Sequence, residues 1–153
     1  MADSIREQIM DSLVTRFNAV TDGIDEHEVT WNMVSRFPLN ASQIKEGNVL
    51  FVMDSEESKI PEINFMRCSL TVITEFWYRV KVGDNAATEG NRLLAEVQKT
   101  MRQDIYTKDI DSSGLTLNIV ELRNEIDVDS ISDRLINGIV YWQVQYRHAI
   151  NNP

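Results

Sequence analysis

Residues 69–82 read SLTVITEFWYRVKV, and their alternation decides the fold. Leu70, Val72, Phe76, Tyr78, Val80 and Val82 share one phase, with Met66 and Cys68 in step upstream. Ser69, Thr71, Glu75, Arg79 and Lys81 share the other. A period of two, apolar on one side and polar on the other, specifies a half-buried strand. Ile73 and Trp77 break the polar side, and being four apart they point the same way. Either a helix covers that side and the pair joins a core, or the pair faces a partner.

Upstream, Ile5, Ile9, Leu13, Phe17 and Val20 recur at three- and four-residue steps, which predicts a helix over 4–20. Asp3 or Ser4 caps it, with Glu7 placed to close a capping box on Ser4, and Thr21-Asp22-Gly23 ends it. Val29, Trp31 and Met33 share a phase within a strand over 29–37, and 48–53 is a short apolar strand. The acidic stretch DSEESKIPE, 54–62, reads as a mobile loop. Downstream, Leu93, Leu94, Val97 and Met101 mark a helix over 86–103, in which Gly90 points to close packing on the sheet. A phase switch within 115–122 predicts a bulged strand, and 137–148 forms the last strand. There Val140, Trp142, Val144 and Tyr146 face one way, and Ile139 and Tyr141 the other.

Helices grouped against a mostly antiparallel sheet of about five strands make an α+β fold, with two main helices. At 153 residues the chain is expected to be a single domain, 1–153. A net charge of −9 opposes binding to nucleic-acid phosphates and to anionic lipid. No apolar run approaches the 18 or so residues of a membrane span, and MADSIREQIM lacks the apolar core of a secretory leader. The sequon Asn40-Ala41-Ser42 therefore carries little weight, and the chain is expected to remain in the cytoplasm while it is made.

Catalytic signals are missing: there is no phosphate-cradling glycine loop, no paired-cysteine zinc spacing, no HExxH and no nucleophile elbow. Cys68, the only cysteine, reads as a buried inert thiol. His27, in DEHEV, reads as part of a solvated acidic loop rather than a metal ligand. DIDSSG, 109–114, places Asp109, Asp111, Ser113 and Gly114 like the first half of a calcium loop. The twelfth position is Val120 rather than glutamate, so a plain turn is the better reading. No cofactor and no metal is expected.

SIREQIMDSLVTRF, the acidic stretch, SLTVITEFWYRVKV, EGNRLLAEVQKTMRQD and the terminal GIVYWQVQYRHAINNP together resemble the tail terminator, or tail-completion, proteins of tailed bacteriophages. The resemblance implies a non-enzymatic virion protein, assembled in the host cytoplasm. It implies self-association into a hexameric ring on the end of the tail tube, which stops tube growth. It also implies contact with the tail tube protein and with a head-neck or connector protein, and DNA passing through the lumen without specific binding. A ring needs head-to-tail contacts, and exposed apolar and aromatic side chains anchor them. Ile73 and Trp77 on one strand, and Ile139 and Tyr141 on another, are the candidates. The alternatives are another neck or head-tail joining protein, a small ligand-binding module, or a small α+β hydrolase-like enzyme using an acidic pair.

Overall fold

A computed structural model describes residues 3–38, 48–102, 116–130, 135–151 and 153. The order is α1 (Ile5–Asn18), β1 (Met33–Ser35), β2 (Asn48–Pro61), β3 (Phe65–Arg79), α2 (Ala86–Arg102), β4 (Thr116–Ser130) and β5 (Leu135–Ala149). The strands form one sheet in the order β1-β2-β3-β5-β4. Among the described strands the β1–β2 pair is parallel and the other three pairs are antiparallel. This is the expected α+β fold.

The 69–82 alternation sets the central strand. Cys68, Leu70, Val72, Phe76 and Tyr78 are buried on the side that carries both helices. Ile5, Ile9, Leu13 and Phe17 of α1, and Leu93, Val97 and Met101 of α2, meet them in one core with Val140, Trp142 and Val144 of β5. Thr74 sits in the apolar phase, fully buried, and its hydroxyl accepts from Trp142 Nε1 at 2.9 Å. Burying the indole N–H without an acceptor would cost about 1–3 kcal/mol, so a hydroxyl in the core is consistent with the tryptophan beside it. Gly138 pairs with Phe76, and a Cβ there would overlap the Phe76 ring. Gly90 is as expected: a Cβ on it would lie 3.1 Å from Ile126 Cγ2 and 3.4 Å from Ile136 Cγ2, so α2 sits close on β4 and β5.

Four expectations are corrected. The acidic stretch 54–62 is not a loop: β2 continues to Pro61, with Glu57–Pro61 paired to Leu70–Met66 after a register shift at Asp54/Glu57. The ladder to β3 stabilises this arm without buried apolar side chains of its own, its Ile60 being exposed. The 29–37 strand shrinks to Met33–Ser35. Trp31 packs into the helix-side core near Phe76, with ring centroids 6.4 Å apart, whereas Met33 packs on the other side. Val82 lies beyond β3 and is exposed, because the strand ends at Arg79. Leu94 is half-buried, since the inward stripe of α2 turns through Glu96, Val97 and Thr100.

The bulge expected within 115–122 is present. Register shifts fall between Thr116 and Asn118, between Glu121 and Arg123, and again at Asp127/Ser130, in a strand longer than predicted. Ser4 caps α1, its Oγ accepting from the Glu7 N–H at 3.2 Å, while the Glu7 carboxylate turns to Arg36. The DIDSSG segment and the sequon lie outside the described residues.

Candidate functional site

The sheet has two unlike sides. Both helices pack on one, and no described helix packs on the other. Strand register places each side chain on this helix-free side, because paired residues share a face. One row runs Met33, Val49, Trp77, Asn137, Asp127 across the five strands. The next runs Ser35, Phe51, Glu75, Ile139, Glu125. A third runs Met53, Ile73, Tyr141, Arg123. Toward the β2–β3 turn the face becomes polar, through Thr71 and Gln143, then Ser69 and Gln145, then Arg67 and Arg147.

All four candidate residues therefore lie on one surface. Ile73 and Tyr141 are directly paired, and Trp77 and Ile139 occupy the adjoining rows. Each is half-buried, and neither described helix covers them. Val49 and Phe51 are buried, packed with Met33, Met53 and Trp77 into a small second cluster. Sequence reading missed these β2 and β1 partners, although Val49, Phe51 and Met53 alternate visibly in NVLFVM. The polar groups are locked: Glu75 Oε1 accepts from Trp77 Nε1 and from Asn137 Nδ2, both at 2.9 Å. Arg123 stacks over the Tyr141 ring at 4.0 Å. Fixed aromatic rings flanked by held charges suit a protein contact more than a reaction, since rigid side chains lose little entropy on docking.

His27 is buried rather than solvated. Its Nδ1 lies 2.7 Å from Glu96 Oε2, and Lys99 Nζ donates to Glu96 Oε1 at 3.1 Å. Asp25 and Glu26 adopt positive φ just before it, a backbone arrangement that turns His27 inward. Burial pushes the Glu96 carboxyl up, but hydrogen bonds from His27, Lys99 and the Glu28 backbone N–H outweigh it and hold the group below the ordinary glutamate range. This cluster ties the turn after α1 to α2.

A second cluster sits at the β2 register shift. Arg6 donates to Asp54 Oδ2 at 2.8 Å and lies 3.3 Å from Glu57 Oε2, and Arg36 reaches Asp54 Oδ1 at 3.1 Å. Burial raises the Asp54 carboxyl, yet the two guanidiniums hold it low. Glu57 also accepts from the buried Tyr146 hydroxyl, and burial with that carboxylate pushes the phenol far up. Cys68, beside them, is pushed up by burial, which fits the inert thiol expected. Every member is engaged in holding strands and α1 together. Among the described residues no group of three or more His, Cys, Asp or Glu is placed to hold a metal.

Compared with solved structures, the fold is similar to that of a chain from the virion of a native gene transfer agent particle. The TM-score is 0.61 at 10% identity, over 96% of this chain and 100% of the other. A chain from the sheath/tube terminator of an extracellular contractile injection system, in its extended state, matches at a TM-score of 0.46 and 7% identity, over 99% of this chain and 60% of the other. No family model and no curated protein matches the sequence. The chain shares its fold with a virion component.

Proposed function

We propose that this chain is a structural virion protein, a tail terminator that caps the tail tube as a ring. It stops tube polymerisation and forms the joint to the head-neck or connector protein. The observation that carries the reading is the fold match to a virion chain over 96% of this chain and 100% of the other. The helix-free face supports it: a ring of identical subunits needs an unlike-surface contact, and Ile73, Trp77, Ile139 and Tyr141 are its anchors. The acidic balance fits as well, because a negative lumen repels DNA and lets it pass without binding.

Loss of the chain from the particle that encodes it tests this. Electron microscopy is expected to show tubes of unregulated length without heads, and purified chain added during assembly is expected to restore normal length. Tubes of normal length in the absence of the chain would overturn the proposal.

A further inference from the structure

The β2–β3 turn carries an apolar tip that the fold does not use. Ile60 and Ile63 are 62% and 90% exposed, and Ile150, just past β5, is 52% exposed. The Ile150 N–H reaches Asn64 O at 3.4 Å, which joins the end of β5 to the turn. The tip is firm rather than loose: Asn64 takes a left-handed φ of 69°, and the Glu62 N–H donates to Phe65 O at 2.8 Å. Its charged residues are mainly basic. Arg147 stacks over Phe65 at 5.5 Å, Arg67 pairs with Glu62, and Lys59 Nζ lies 3.0 Å from His148 Nε2. A basic apolar tip stands out on a chain of net charge −9.

The candidate face has the complementary character. Its apolar anchors are rimmed by Glu75, Glu125 and Asp127, the last two exposed on β4, against one cation, Arg123, stacked over Tyr141. Tip and face occupy opposite ends of β3. Phe65 to Ile73 and Trp77 spans eight to twelve residues, roughly 26–40 Å at ~3.3 Å per residue. One subunit cannot bring the two together, but a neighbour can.

Resting on the ring reading, we propose that the occupant of the face is a second copy of this chain: the tip of one subunit seats on the helix-free face of the next. Ile60, Ile63 and Ile150 meet Ile73, Trp77, Ile139 and Tyr141, and Lys59 and Arg147 approach Glu125 and Asp127. The contact is heterologous, so every copy in a closed ring uses its tip once and its face once. Exposed charges place it under salt control.

Two variants test the pairing, one blocking each surface: Ile63→Asp on the tip and Trp77→Glu on the face. Sedimentation velocity over a concentration series, with circular dichroism for folding, reads the result. Wild-type chain is expected to associate beyond the dimer. Each variant alone is expected to lose at least tenfold in association. An equimolar mixture is expected to form dimers and nothing larger, since only one intact tip-face pair remains. If Trp77→Glu unfolds, the exposed reversal Glu125→Lys/Asp127→Lys replaces it in the same mixture. Ile63→Asp chains that assemble like wild type overturn the tip contact and leave the ring reading standing. A mixture that stays monomeric while wild type assembles also overturns the pairing. Wild-type chain that stays monomeric and leaves tube ends uncapped overturns the ring reading and this contact with it.

Discussion

Two buried contacts set the behaviour of single residues. Glu96 is a carboxylate in a dry setting, held charged by His27, Lys99 and a backbone N–H. Its folded value lies below its unfolded one, so its stabilisation is complete above the ordinary glutamate range and is lost as pH falls from that range through the lower folded value. Glu96→Gln is expected to cost roughly 1.5–3 kcal/mol at neutral pH, the scale of hydrogen bonds to a charged group. Urea melts at pH 7 and pH 3 check the sign: the gap between wild type and variant narrows in acid. Gly138 leaves the space that the Phe76 ring fills. Gly138→Ala is expected to destabilise by about 1–3 kcal/mol, as overpacked cores do, and Phe76→Leu in the same chain should recover part of that loss. Purely additive costs in the double variant would show that the ring and the missing Cβ do not compete.

At the scale of elements, the sheet is held unevenly. β3 and β5 pair along fifteen residues and bury alternate side chains under the helices, so their ladder and core reinforce each other. The outer half of β2 lacks that apolar support and that of β4 has Ile126 against α2, while charges such as Glu56, Glu125 and Asp127 blunt both against stray pairing. Truncation should follow this gradient. Leu70→Ala, at a fully buried position of β3, is expected to cost roughly 2–5 kcal/mol. Leu94→Ala, on the half-buried flank of α2, should cost less. Equal costs in chemical denaturation would mean that α2 is seated more deeply than the structure has it.

For the whole molecule, both described helices lie on one side of the sheet and the aromatic-bearing side carries no described helix, so the two sides differ. The proposed ring contact would use that asymmetry, and the proposed lumen makes the charge testable. With a net charge of −9, the chain should not retain duplex DNA even in about 50 mM salt, where phosphate contacts are strongest. Fluorescence anisotropy with a labelled duplex checks this, and micromolar binding would remove the argument for a repelling lumen.

The sequence alone determined the parts in which local pattern and burial agree. SLTVITEFWYRVKV and GIVYWQVQYRH alternate because each has one buried and one open face, and α1 and α2 show their stripes for the same reason. Gly90 was legible too, since a helix interior tolerates glycine poorly unless a neighbour needs the room. The acidic half of β2 was not, because backbone pairing to a neighbour stabilises it and leaves no periodic trace in its own residues; the far half of β4 was missed although Leu122, Ile126 and Val128 share one phase and Arg123, Glu125 and Asp127 the other. His27 read as solvated because its partner, Glu96, is remote in the chain. Tertiary structure alone decided which side of the sheet the helices take. Alternation records that Ile73 and Trp77 share a side, but only the packing of α1 and α2 against the opposite one leaves that side without a described helix.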